Sequence, residues 1–167
     1  VTEDGFVIGQ SVLKGMLSKV MYAMASNDQR PVLNGCYFSV TEGRLLAVAC
    51  DSFKLAKCAV ETDIENKNED QSSLKFSFII PTKTVNELYK LLKDDERETV
   101  RVYMTRKNVV FNIGKLTFFS RLIDGQYIEF DRIILGTHRI FATVNRERLI
   151  SSLERAVTLV PLNQTSP

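Results

Sequence analysis

Few residues of this chain could carry covalent or acid–base chemistry. His138 is the single histidine. A histidine base or metal ligand works with a positioned partner; none accompanies it, so it is read as an ordinary surface or strand side chain. Cys36, Cys50 and Cys58 are not spaced as the CxxC pair that a thiolate zinc site ordinarily uses. Each falls in a strand candidate and is expected to pack as a small core residue. Cys50 differs in closing a strand beside a turn, yet no base stands near it in sequence to make a reactive thiol. Gly5-Phe6-Val7-Ile8-Gly9 lacks the Lys-Ser/Thr of a phosphate loop, and no serine sits in a nucleophile elbow. The chain is therefore expected to have no catalytic residue, no metal and no cofactor.

Non-covalent recognition has more support. Asp51-Ser52-Phe53-Lys54-Leu55-Ala56 places an aromatic, a cation and an apolar residue between two strand candidates. Either Phe53 and Leu55 enter the core of a hairpin, or they offer apolar anchors to a short partner peptide at the surface. The second signal is charge. Residues 10–25 carry +2, residues 82–93 carry +2 and residues 146–158 carry +1, leaving −3 for the rest of a chain whose total is +2. All three segments have helical periodicity. Lys and Arg suit any solvated helix face, but a row of them can also meet phosphates without reading bases. Lys14 and Lys83, each in the first turn of its helix, are placed alike.

The elements that must position these residues run in a repeated order. Strand candidates at 3–8 and 74–80 each lead into a helix. In the helix over 10–25, Leu13, Met16, Leu17, Val20 and Met24 share one face, opposite Lys14, Gly15, Ser18, Lys19 and Tyr22. The helix over 82–93 has Val85, Leu88, Leu91 and Leu92 as its apolar side. Three strands follow each helix, at 35–41, 44–50 and 53–60, then at 99–105, 108–113 and 116–122. The unit strand–helix–three strands thus occurs twice. The class is α+β: two four-stranded antiparallel sheets with two helices on one side, each helix burying a face against its own sheet. Two separate domains of about 60–70 residues would have meagre cores, so one pseudo-symmetric domain is expected. Residues 61–73, with five acids and one lysine from Glu61 to Asp70, are read as an exposed loop. Residues 123–137 are a connector. Residues 138–144 are a strand, and Asn145 caps a helix reaching about Val160.

Composition sets the outer limits. The chain has 167 residues, 44% hydrophobic and 25% charged, which are ordinary globular values. No apolar run approaches the roughly 20 residues of a membrane helix, and no secretory leader is read at its start. Three cysteines make no disulfide framework, so a reducing, cytoplasmic setting is expected. The chain starts at Val1 rather than Met and stops in the polar Leu162-Asn163-Gln164-Thr165-Ser166-Pro167, which reads as a piece of something longer.

Three stretches carry a resemblance. They are Arg30-Pro31-Val32-Leu33-Asn34-Gly35, Ala49-Cys50-Asp51-Ser52-Phe53-Lys54-Leu55-Ala56 and Phe119-Ser120-Arg121-Leu122-Ile123-Asp124-Gly125-Gln126-Tyr127. In these the chain resembles the bacterial beta sliding clamp family, the processivity factors of the replicative DNA polymerase (DNA polymerase III beta subunit). The resemblance runs through nearly the whole chain. It implies that residues 1–135 are the middle of three similar clamp domains and 136–167 the first strand and helix of the third. It also implies a non-enzymatic DNA-binding role in DNA replication: a homodimeric ring whose helices surround duplex DNA without sequence preference. Partner proteins, namely the polymerase catalytic subunit, the clamp loader and other clamp-motif proteins, would insert apolar side chains into a groove. The matching groove positions are Leu33, Cys50, Ser52, Phe53, Lys54, Leu55, Ile128, Arg132 and Ile133. The matching DNA positions are Lys14, Asn27, Arg30 and Lys83, to which the helical wheel adds Lys19 and Lys90. The family usually has Thr at Cys50, Arg at Lys54 and Pro at Ile128, and lysine lacks arginine's two-pronged geometry.

Overall fold

The computed structural model describes residues 4–68, 72–134, 136 and 139–160. His138 lies outside the described residues. The chain divides into two compact units, residues 1–128 and 129–167.

The first unit opens with β1 (Asp4–Gly9), α1 (Gln10–Val20) and a 3-10 turn at Met21–Ala23. A second 3-10 turn (Pro31–Leu33) precedes β2 (Gly35–Thr41), β3 (Arg44–Cys50), β4 (Leu55–Glu61) and β5 (Glu65–Asn66). The order then recurs as β6 (Lys75–Pro81), α2 (Thr82–Leu91), β7 (Thr99–Met104), β8 (Asn108–Ile113) and β9 (Leu116–Arg121). Periodicity explains the elements. In β2, Cys36, Phe38 and Val40 are buried and alternate with half-buried Tyr37, Ser39 and Thr41. In β8, Val109, Phe111 and Ile113 alternate likewise. In α1 the buried set Leu13, Met16, Leu17 and Val20 follows the 3.6-residue period.

The sheets differ from expectation in two ways. Each repeat gives its first strand to the other repeat's sheet. One sheet runs β4-β3-β2-β6 and the other β5-β1-β7-β8-β9, antiparallel throughout. Phe38 thereby faces Phe78 across β2 and β6, rings stacked with centroids 5.4 Å apart, and Phe6 faces Val102 across β1 and β7. Second, one sheet has five strands, because Glu65–Asn66 adds a short rung to β1. The segment read as an exposed loop is partly built into the fold. Asn68 is buried and its Oδ1 accepts from Gly5 N at 3.0 Å, while Lys67 N donates to Gly5 O at 2.9 Å.

Both helices and both sheets share one core, where Leu13, Leu88, Phe38, Phe78, Val102 and Phe111 meet. The helices touch each other; α1 lies against β3 and β4, and α2 against β2 and β6. Placing α2 over β2 and β6 departs from the expectation that each helix covers its own repeat's three strands. It follows from the exchange of β6, which leads straight into α2. Each helix start is tied to the far end of the other helix. Gln10, fully buried, donates from Nε2 to Thr99 O at 3.0 Å and accepts Lys93 N at 2.9 Å, just past α2. Thr82 Oγ1 donates to Ala25 O at 2.9 Å, just past α1. The two helices therefore run antiparallel.

The second unit contains one helical turn, α3 (Phe130–Ile133), and α4 (Arg146–Val157). Asn145 caps α4 as expected, accepting Arg148 N at 3.0 Å. The strand expected over 138–144 does not form in its described part: residues 139–145 are irregular and pair with no strand among the described residues. Leu149, Ile150, Leu153 and Val157 line α4 and are exposed.

Two glycines give opposite predictions. A Cβ on Gly35 would run into the Ile80 carbonyl oxygen and crowd Ile79 and Ile123, whereas one on Gly15, inside α1, meets nothing within 4 Å. Gly35→Ala is expected to destabilise by about 1–3 kcal/mol, and Gly15→Ala to stabilise by about 0.5–1 kcal/mol. Urea unfolding of the two variants measures both signs.

Candidate functional site

Two surfaces gather the expected residues. The first is the turn between β3 and β4. Asp51 organises it: its Oδ1 accepts Phe53 N at 3.1 Å and Lys54 N at 2.9 Å, and its Oδ2 pairs with Lys54 Nζ. Asp51 N in turn donates to Lys54 O at 3.2 Å. The Lys54 ammonium, helped by these two amides, holds the Asp51 carboxyl below the usual carboxylate range. Phe53 does not enter the core. Phe53 is 83% exposed, while Leu55 is half-buried. Of the two placements open for this stretch, core or surface, Phe53 takes the surface.

The loop at 26–34 flanks the turn. Leu33 is fully buried in its 3-10 turn and Cys50 is buried beneath the strand end. Asn34 pins Asp28, its Oδ1 accepting Asp28 N and its Nδ2 donating to Asp28 O, both at 2.8 Å. Arg30 clasps Asp28 through Nε at 3.1 Å and Nη2 at 3.3 Å. That Arg30 clasp, with the Ser52 hydroxyl, pulls the Asp28 carboxyl down to about 2. Arg30 Nη2 also donates to the Ser52 hydroxyl. The fold thus joins Arg30, expected at DNA, to Ser52, expected at the groove. Asp28, Asn34 and Asp51 carry this arrangement and were not singled out from sequence; Asx residues beside turns are the signal that points to them.

Tyr127 supports the same region. It stacks on Tyr37, centroids 5.2 Å apart and 18° from parallel, and its hydroxyl is buried. Burial raises its phenol pKa. Gly125, at φ 133°, lies so close to Val32 that a Cβ would stand 2.9 Å from its methyl. This accounts for glycine in that motif. Ile128 is half-buried. In the second unit, Arg132 pairs with Glu129 at 2.6 Å and Ile133 is exposed.

The second surface is the helix pair. Lys14 and Lys83 are not equivalent. Lys14 is half-buried, donates Nζ to Leu92 O at 2.9 Å and sits 5.5 Å over the Tyr89 ring. It caps the C-terminus of α2, where a cation is favoured. Lys83 stands at the opposite end of the antiparallel pair, next to Thr82, which bonds Ala25 and Asn34. Lys19 and Lys83 are exposed and without an ion pair among the described residues. Lys90 pairs with Glu87 at 2.9 Å and Lys93 with Glu98 at 3.1 Å. Asn27 is exposed. Among the described residues no cluster of three His, Cys, Asp or Glu could hold a metal, and no helix is long and apolar enough to cross a membrane.

Comparison with known proteins places this geometry. A family model described as the central domain of the DNA polymerase III beta subunit matches residues 7–129. The beta sliding clamp of Halalkalibacterium halodurans is 33% identical over 155 residues, covering 92% of this chain and 39% of that protein. The beta sliding clamp of Bacillus subtilis is 32% identical over 152 residues, covering 91% and 38%. Among solved structures, a Pseudomonas aeruginosa sliding clamp bound to griselimycin superposes with a TM-score of 0.82 at 28% identity, over 95% of this chain and 41% of that one. A Bacillus subtilis clamp gives 0.81 at 28%, over 96% and 40%. The chain spans about two-fifths of the length of the curated relatives it matches.

Two measurements check the site. Lys14→Ala is expected to lower stability by about 1–2 kcal/mol through the lost charge-assisted hydrogen bond, while Lys83→Ala stays within about 0.5 kcal/mol. The Asp28 carboxyl, followed by NMR, is expected to titrate near 2 and to return towards the ordinary value, about 4, in Arg30→Ala. Because the folded pKa is depressed, the stabilisation is present above about pH 4 and lost as pH falls towards 2.

Proposed function

The chain belongs to the family of DNA polymerase III beta subunit central domains, and from that premise we propose that it is a segment of a ring-forming sliding clamp of bacterial DNA replication. The observation that carries the proposal is the family match across residues 7–129. In this reading residues 1–135 form the middle clamp domain and 136–167 begin the third. The full-length protein closes as a homodimer around duplex DNA in the cytoplasm. Its role is topological and not enzymatic. A ring that cannot leave the duplex keeps its partners at high effective concentration near the primer end without a tight contact of its own.

The helix pair supplies the inner surface in this reading. Lys19 and Lys83 present ammonium groups without an ion pair among the described residues, Asn27 is exposed, and Lys90 contributes a charge already shared with Glu87. Lys14 and Arg30 add positive field, but their donors are engaged within the fold. Such a surface attracts phosphates and reads no sequence, as sliding requires. The outer surface carries the groove. Phe53 and Leu55 offer apolar contact beside buried Leu33 and Cys50, and Ile128, Arg132 and Ile133 are the further positions assigned to it. Partners of matching chemistry are short segments with apolar side chains, carried by the polymerase catalytic subunit, the clamp loader and other clamp-binding proteins.

Retention of the full-length protein on DNA tests the ring. It should stay on a circular duplex and run off once the circle is linearised; equal retention on both would sink the topological mechanism. Lys19→Ala with Lys83→Ala should shorten retention severalfold at low salt and matter little at high salt, where phosphate attraction is screened.

A further inference from the structure

Ser52 sits at φ 78° and is the only non-glycine residue with positive φ among the described residues. This region crowds a Cβ against the backbone, so contacts outside the residue must hold it there. Three converge on it. Arg30 Nη2 donates to the hydroxyl; the hydroxyl donates to Asp28 Oδ2 at 3.1 Å; and Ser52 N points at Cys50 Sγ at 3.4 Å. Arg30 is itself fixed by its two-pronged grip on Asp28, and Asp28 by Asn34, the residue that leads into β2. A continuous chain of hydrogen bonds therefore runs from the start of β2 to Ser52. The next residue, Phe53, projects from the turn with its ring in solvent. Its direction is set by the backbone conformation at 52 and by the bonds Asp51 makes within the turn.

We propose that the Asp28–Arg30 pair is a positioning clamp for the partner-binding turn: it holds Ser52 left-handed and so fixes where Phe53 is presented. Arg30 is then a positioning residue of the groove, with its guanidinium committed to protein rather than phosphate. The inference rests on the reading of residues 50–55 as part of a partner groove. It does not depend on which partner binds. Only the planar guanidinium can span both carboxylate oxygens and still reach a hydroxyl; an ammonium at the same place keeps the charge and loses the fork.

Amide exchange of Phe53 and Lys54 in the full chain tests the clamp without any partner. Arg30→Lys and Ser52→Ala should each speed exchange about tenfold, since a Cβ-bearing residue then samples other conformations. Glycine accepts positive φ unaided, so in the Ser52→Gly background the effect of Arg30→Lys should shrink to about twofold or less. An equal effect of Arg30→Lys in both backgrounds, or none in either, overturns the clamp. The partner reading fails separately: if Phe53→Ala leaves polymerase retention by the DNA-loaded ring unchanged, the turn is no partner site. Where retention does depend on Phe53, a loss caused by Arg30→Lys and restored by adding Ser52→Gly supports positioning. A loss that persists in the Ser52→Gly background means Arg30 touches the partner itself and overturns it.

Discussion

The exchange of first strands between the two repeats is the constraint on which everything else depends. β1 completes the sheet of β7, β8 and β9, and β6 completes the sheet of β2, β3 and β4. Neither repeat can close its core alone, because Phe6 needs Val102 across its ladder and Phe78 needs Phe38. Each exchanged strand runs directly into a helix, so the exchange also fixes where the helices start. Gln10 bonds just beyond α2 and Thr82 just beyond α1. These two crossed ties make the helices antiparallel neighbours.

That geometry decides which charges are available outside. In sequence Lys14 and Lys83 are placed alike, but Lys14 is the fifth residue of α1 and Lys83 the second of α2. In the antiparallel pair Lys14 lies beside the last turn of α2, where unpaired carbonyls await a donor. Lys83 follows Thr82, which bonds the loop after α1, and Lys83 is exposed. One lysine is committed to the fold and the other is left to the surface. The asymmetry arises where the symmetry is inexact: α1 continues into a 3-10 turn, while α2 ends at an extended residue, Leu92, with φ −72° and ψ 138°.

Sequence legibility follows the range of the interactions. Local periodicity located nearly every strand and both helices of the first unit, because alternation in β2 and the 3.6-residue stripe of α1 are written within single segments. Pairing across the repeats is non-local, so the strand exchange could not be read. β5 escaped because Glu65 and Asn66 have no apolar pattern; their pairing follows from the side chain of Asn68 and the backbone of Lys67 gripping Gly5. The segment at 139–144 is irregular for the converse reason: a strand-like run of residues is not sufficient for a strand, because a ladder needs a neighbour. At the site, residue types located the turn between β3 and β4, although the strand expected from residue 53 begins only at Leu55. They did not show that Arg30 faces the turn, since that contact spans 22 residues and depends on Asn34 folding the 28–34 loop back on itself.

The turn also shows why a folded protein would keep a costly arrangement on its surface. A phenylalanine at 83% exposure contributes almost nothing to the core, and a serine at positive φ opposes its own backbone preference. Neither feature helps folding. Both are accompanied by hydrogen bonds that reach the turn from two directions, from Asp51 within it and from Asp28 and Arg30 outside it. Rigidity of this kind has little value for a monomer's stability, where a loose polar turn would serve. It has value for association, because a partner that finds the aromatic ring already oriented does not lose affinity in ordering it. An exposed anchor on a mobile loop would be a liability for aggregation, and the same anchor on a braced turn offers one defined geometry. In the proposed reading, the bracing of residues 51–54 is what would distinguish a docking anchor from an apolar side chain that merely failed to be buried.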